Sequence, residues 1–277
     1  MLDTLTFGFL GGGNMASALI GGLIARGVPA GSIRVVDPFP EAQQRLSRDL
    51  GVHAAGAPDA AFGASDVLVL AVKPQQFREA AAQLLPYLPA GDGNLVISVA
   101  AGIRLQDMQR WLGGRNRLVR AMPNTPALAG MGMTGLAAAA GLSSADRDVA
   151  SAVAQAVGKC VWVENDAQID GVTAISGSGP AYVFYFIEAM QRAATELGLS
   201  AEQGRELAVE TFRGAAALAG QSSEAVSTLR ERVTSKGGTT YAALTAMEAA
   251  GIGDAFVRAM HAAAARGAEM GGEFGKD

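Results

Sequence analysis

Two stretches of this 277-residue chain carry more chemistry than packing alone requires. In the first, the apolar run "TFGFL" leads into "GGGNMASALIGGL", where Gly11, Gly13 and Ala16 satisfy G-x-G-x-x-A at a strand-to-helix turn. Gly11 permits the tight turn, Gly13 lets a pyrophosphate approach the backbone, and Ala16 keeps the helix close to the sheet; the helix N-terminus then stabilises the anion. Asp37 ends the following strand at the distance expected of a carboxylate that accepts from an adenosine ribose 2′-OH and repels a 2′-phosphate, which favours NADH. Against this stand Arg45 and Arg48 on the next helix, either receiving the phosphate of NADPH or forming a solvated helix face, so NADPH or NADH remains open. The second stretch, "VTSKGGTT" (233–240), lies between two helical patterns. Its glycine pair lets backbone N–H groups approach a ligand and its hydroxyls add donors, which suits a small anion; the alternative is a helix N-cap without a ligand, which needs one hydroxyl only.

The elements that must position these stretches change period part-way along the chain. From Thr4 to about Val163, "LTFGFL", "SIRVVD", "DVLVLAV", "NLVISVA", "RLVRAM" and "KCVWV" read as strands, separated by helical segments such as "EAQQRLSRDLG" and "FREAAAQLLPYL". Near-continuous apolar strands alternating with helices predict an α/β Rossmann domain, a doubly wound, mostly parallel sheet covered on both faces, over residues 1–163. From 164 to 277 the pattern is all-α, with Pro180 in a first helical turn and Ser200 and Ser223 as N-caps. The helix containing "YVFYFIEAM" is apolar on nearly every face, which predicts a homodimer built on these helices; the other reading is a helix buried within its own subunit.

Composition narrows the classes. With 49% hydrophobic and 17% charged residues and a net charge of −4, the chain has no clustered basic surface to displace counterions, so no nucleic acid is expected. Asp3 stands where an export signal needs positive charge, and no run approaches the roughly 20 apolar residues of a membrane helix, so no membrane association and a cytoplasmic location are expected. The single cysteine, Cys160, fits a reducing compartment and reads as an inert thiol on a buried strand. His53 and His261 lack neighbours at metal-ligand spacing, so neither a metal site nor a histidine acid is expected. A carbonyl reductase would need a proton donor that this chain does not readily offer. A protonated cyclic imine is already an electrophile, so its reduction needs mainly positioning, desolvation and a hydrogen bond to nitrogen.

"FLGGGNMA", "AVKPQ" (71–75), "RAMPNTP" (120–126), "AISGSGPAYVF" (174–184) and "VTSKGGTTYAAL" (233–244), in this order and spanning almost the whole chain, resemble the pyrroline-5-carboxylate reductases. The resemblance implies NAD(P)H-dependent reduction of 1-pyrroline-5-carboxylate to L-proline, an N-terminal Rossmann domain, a C-terminal helical dimerisation domain, and an active site where the two meet across a homodimer; a higher homo-oligomer such as a ring of dimers is compatible with it. It implies that Ser235, Gly237, Gly238 and Thr239 hold the substrate carboxylate and that Thr240, the catalytic candidate, hydrogen-bonds the ring nitrogen, with the helix dipole assisting. On the cofactor side it assigns the segments Leu10, Gly11, Gly12, Gly13, Asn14 and Met15; Ala71, Val72, Lys73 and Pro74; and Val99, Ala100 and Ala101. Lys73 faces either phosphate or nicotinamide, and Asn124, between two prolines, borders the nicotinamide or serves as a structural turn.

Two positions depart from the family pattern: Lys236 stands where proline is frequent, and Pro58 where an asparagine often meets the adenosine half. A β-hydroxyacid dehydrogenase of the same plan would need a lysine on the helix after the Rossmann domain, yet past Lys159 only Lys236 and Lys276 occur. A catalytically silent dinucleotide-binding protein would keep the glycine loop but have no need of "SKGGTT".

Overall fold

The computed structural model describes residues 2–276. Eight strands form one sheet: β1 (Phe7–Leu10), β2 (Ile33–Val36), β3 (His53–Ala55), β4 (Val67–Leu70), β5 (Leu95–Ser98), β6 (Leu118–Met122), β7 (Gly132–Ala138) and β8 (Gly158–Trp162). The order is β3-β2-β1-β4-β5-β6-β7-β8. Every pairing is parallel except β6 with β7, where Met122 faces Gly135. The helices are α1 (Asn14–Ala25), α2 (Pro40–Leu50), α3 (Ala60–Gly63), α4 (Phe77–Leu84), α5 (Leu105–Trp111), α6 (Ser144–Gln155), α7 (Gln168–Val172), α8 (Gly179–Glu196), α9 (Ala201–Gln221), α10 (Val226–Arg232), α11 (Thr239–Ala249) and α12 (Ile252–Phe274).

The strand residues alternate between two cores. Phe7 and Phe9, Val67 and Val69, and Leu95 and Ile97 face one cluster with Leu19, Ile20 and Leu23 of α1. Leu10, Leu68, Leu70 and Val96 face the other with Phe77, Leu84 and Met108. A side chain buried this completely contributes about 1.5–3 kcal/mol, so the central strands β1, β4 and β5 are strongly specified in register.

The chain forms two compact units. The first comprises the residues up to Ser178 together with those from Ala263 on, and the second is Gly179–Ala262. The reading that placed the division at 163/164 followed the last strand; by compactness the first unit continues through α7 and a π-helical turn, Thr173–Gly177. The last part of α12 is held within that unit, where Arg104 Nη2 donates to the Ala268 carbonyl at 2.9 Å and Arg110 Nη2 to that of Gly275 at 2.7 Å. In the second unit α8 and α9 meet through small residues: a Cβ on Gly204 would lie 2.8 Å from that of Ala194. Tyr182 and Phe186 of α8 stack against Phe256 of α12 at ring separations of 5.8 and 5.9 Å.

Several local expectations need correction. β3 and β7 are not evident in the apolar pattern, because β3 holds only three residues and β7 ("GMTGLAA") is interrupted by glycines and alanines. Gly135 must be small there, since its Cβ would lie 2.6 Å from Val172 Cγ1. Ser223 is not an N-cap: α10 is capped by Ala225 without a side-chain bond, and Ser222 Oγ instead accepts from the Glu224 N–H. Ser200 does cap α9, in a reciprocal capping box with Gln203. Cys160 is half-buried and not deep, because β8 is an edge strand whose residues alternate in exposure. No helix among the described residues is long and apolar enough to cross a membrane.

At the opposite end of the sheet from the glycine loop, Arg117 makes a two-pronged ion pair with Asp146, Nη2 to Oδ1 at 2.6 Å and Nε to Oδ2 at 3.1 Å. These bonds, with one from Ser143 Oγ, hold the Asp146 carboxyl below its ordinary range despite burial. A carboxylate with a depressed folded-state pKa contributes stability above its unfolded value, about pH 4, and loses it as pH falls through the folded value. Wild-type chain is therefore expected to lose more thermal stability than Asp146→Asn as pH is lowered from about 5 to about 2; parallel melting curves for the two would contradict the assignment.

Candidate active site: a glycine loop and a glycine–threonine turn

The glycine loop lies at the carboxyl end of β1, where neighbouring connections leave in opposite directions because β2 and β4 flank β1. This is the switch point at which open parallel sheets bind ligands. Gly11 has φ +98°, and its Cβ would stand 2.6 Å from the Ala71 carbonyl oxygen, so glycine is required twice over. Its N–H donates to Val36 O at 2.7 Å, Ala71 N–H donates to Leu10 O at 2.8 Å, and Val99 N–H donates to Leu70 O at 3.0 Å. The segments beginning at Leu10, Ala71 and Val99 are thereby locked side by side. Gly13, exposed and extended, has nothing within 4 Å of its Cβ direction, and it caps α1 without any side-chain acceptor. Asn14 is exposed beside it, Met15 is half-buried against the core, and Ala16 is fully buried. The open face above Gly13 and the first N–H groups of α1 fit a pyrophosphate.

Gly12 differs from its neighbours. It is buried, and Asp37 Oδ2 accepts its N–H at 2.8 Å while Arg45 Nη2 donates to its carbonyl at 2.8 Å. Asp37 lies just after β2 as expected, and its second oxygen accepts from Phe39 N–H at 2.9 Å. Arg45 therefore turns to the loop, and exposed Arg48 pairs with Asp49 at 2.7 Å. Val72 and Ala101 are half-buried and Ala100 is buried; Lys73 is exposed, with half-buried Pro74 opening a short 3-10 turn. Pro58 is buried just before Asp59, whose carboxylate caps α3, and offers no polar side chain.

Asn124 is engaged by the framework. Its Nδ2 donates to the Ser176 carbonyl at 3.1 Å and to Ser176 Oγ at 3.2 Å, and its Oδ1 accepts from Met133 N–H at 2.9 Å. It ties the loop after β6 to β7 and to the π-helical turn. Arg120, on β6, is a second support that sequence reasoning passed over. Its side chain is buried and pairs with Asp166 at 3.0 Å and Asp170 at 3.4 Å. The signal was present, since a charged residue inside an apolar strand needs buried partners.

In the second unit, Ser235 to Gly238 forms a turn closed by Gly238 N–H to Ser235 O at 3.0 Å. Gly237 at its third position has φ +74°, which glycine adopts freely. Gly238 then caps α11 with no side-chain bond, and its missing Cβ would lie 2.6 Å from Ser235 Oγ. Thr239 and Thr240 are the first two helical residues, and both are exposed, as are Ser235 and Lys236. The hydroxyl-cap alternative is not what forms: this helix start, like that of α1, has a glycine at the cap position and no side-chain cap bond.

Comparison with known proteins follows the same two features. A family model described as pyrroline-5-carboxylate reductase dimerisation matches residues 166–270, and one described as NADP oxidoreductase, coenzyme F420-dependent, matches residues 6–102. A pyrroline-5-carboxylate reductase of Pseudomonas aeruginosa is 42% identical, over 99% of this chain and 100% of that protein. The chain belongs to the pyrroline-5-carboxylate reductase family. A family member of known structure from Coxiella burnetii superposes with a TM-score of 0.91 at 38% identity, covering 97% of this chain and 99% of that one. Another, from Plasmodium falciparum and solved with NADP bound, gives 0.84 at 27% identity over 98% and 100%.

Asn124→Ala, which removes three hydrogen bonds between loop, strand and π-turn, is expected to cost about 1–3 kcal/mol of stability. Equilibrium denaturation measures it; an unchanged midpoint together with weakened dinucleotide binding would move Asn124 from framework to cofactor contact.

Proposed function

We propose that this chain reduces 1-pyrroline-5-carboxylate to L-proline with NADPH or NADH. Family membership over essentially its whole length carries this reading, and the two helix starts capped by glycine support it. When bound, the reduced dinucleotide supplies a hydride to the imine carbon. The residues of the chain have the remaining tasks. Gly13, Asn14 and Met15 offer backbone donors to the pyrophosphate, while the backbone of Gly11 and Gly12 shapes the loop. Leu10, Ala71, Val72, Pro74 and Val99 to Ala101 line the cofactor's path along the strand ends, with Lys73 adding a cation. Ser235 Oγ and the N–H groups around Gly237, Gly238 and Thr239 hold the substrate carboxylate, aided by the positive end of α11. Thr240 Oγ1 hydrogen-bonds the ring nitrogen, orienting the imine and stabilising the amine that forms.

The chain is further proposed to work as a homodimer in the cytoplasm. Phe184, Tyr185 and Leu218 of the second unit are 60%, 68% and 67% exposed in the single chain, an apolar surface that a second copy would cover. Sedimentation is expected to give twice the chain mass or a higher even multiple of it, and a stable active monomer would contradict this.

The activity itself is read from loss of NAD(P)H absorbance on adding pyrroline-5-carboxylate. Thr240→Ala is expected to lower kcat by the equivalent of about 1.5–3 kcal/mol with cofactor affinity intact. Turnover equal to wild type would remove the role given to Thr240.

A further inference from the structure

Gly12 occupies none of the three positions at which the dinucleotide motif requires a small residue, yet both of its backbone groups are held from the same neighbouring segment. Asp37 takes its N–H and Arg45 its carbonyl, each at 2.8 Å. Its Cβ would lie 2.6 Å from Leu46 Cδ1 and 3.2 Å from Asp37 Oδ2, so the wall of β2 and α2 closes on it directly. Asp37 is itself fixed to the start of α2, through Phe39 N–H at 2.9 Å and through Gln43 Nε2, which donates to its carbonyl at 2.8 Å. The Arg45 nitrogen also lies 3.5 Å from Ser17 Oγ in the first turn of α1.

The Gly12 carbonyl and the Gly13 N–H belong to one planar trans peptide and so point in opposite directions. With the carbonyl drawn toward Arg45, the Gly13 N–H is aimed to the other side, and it donates to no group among the described residues. We propose that Arg45 is a positioning residue for the dinucleotide: by anchoring the Gly12 carbonyl it presents the Gly13 N–H, with the first N–H groups of α1, to the pyrophosphate. The pyrophosphate is common to NADH and NADPH, so Arg45 serves both cofactors equally and is not a reader of the 2′-phosphate.

This inference rests on the dinucleotide reading given above, and direct binding separates the two. Titrations followed by reduced-nicotinamide fluorescence give Kd for NADH and NADPH on wild type, Arg45→Met and Arg45→Lys. Arg45→Met is expected to weaken both nucleotides by the same factor, about tenfold, raising KM for the dinucleotide while KM for the imine stays. Arg45→Lys, which keeps a cation within reach of the carbonyl, is expected to recover part of the affinity, a recovery that general loosening of α2 would not produce. Unchanged affinities in Arg45→Met would overturn the inference, as would a loss confined to NADPH, which would make Arg45 a phosphate ligand. A wild-type chain that binds neither nucleotide would instead remove the dinucleotide reading itself.

Discussion

The arrangement depends on how closely two strand ends approach. At the end of β1 the backbone of Gly11 turns with φ +98° against the Ala71 carbonyl, at a separation that leaves no room for even a methyl group. Because β1, β2 and β4 are parallel and in register, and their side chains are buried on both faces of the sheet, this approach cannot relax without disturbing the core. The turn therefore projects Gly12 and Gly13 at a fixed height above the sheet, and α1 starts from a fixed point. Every other feature of the loop follows: Asp37 and Arg45 find Gly12 between them, and Gly13 is left with open space.

The second unit follows a different physical logic. The first unit buries large side chains on two faces of a sheet, but among the described residues of the second the buried positions are Ala194, Gly204 and Ala208, all small. Its helices approach closely through these residues and leave their long apolar side chains outward, an arrangement that gives a single copy little hydrophobic stabilisation. The matched family model for this region is one of dimerisation, which accords with such a surface. The Ser235–Gly238 turn and α11 are part of this unit, so the residues proposed to grip the substrate belong to the region whose apolar surface calls for a partner.

What was legible in the sequence was whatever repeats with a period or breaks a rule. The apolar runs of β1, β2, β4, β5, β6 and β8 announce themselves, and Gly11, Gly13 and Ala16 do so by spacing. β7 was not legible, because two glycines and two alanines interrupt its apolar pattern, and the need for Gly135 to be small beside Val172 shows only in the packing. Nor could spacing show that each oxygen of Asp37 accepts from a backbone N–H, or that Arg45 reaches 33 residues back to Gly12, because such bonds depend on where β2 and α2 come to rest. Asn124 shows the same limit: its two prolines revealed a stiff loop, while its partners, Met133 and Ser176, are set by the register of β7 and by the π-helical turn. The Ser223 cap failed for a local reason, since the chain stays extended at Ala225 and the helix starts only after it.

The central claim is that the fold holds open a place for an anion over Gly13 and does not itself need that place filled. Gly13 has φ −71° and ψ −174°, a conformation open to any L-residue, and nothing lies within 4 Å of its Cβ direction. The most direct test is to compare Gly13→Val with wild type in two measurements, the melting temperature of the unliganded chain and the Kd for ADP-ribose. The account predicts a melting temperature changed by little more than a helix-cap substitution allows, about 1 kcal/mol, together with loss of detectable ADP-ribose binding. Unaltered ADP-ribose affinity in the folded variant would contradict it.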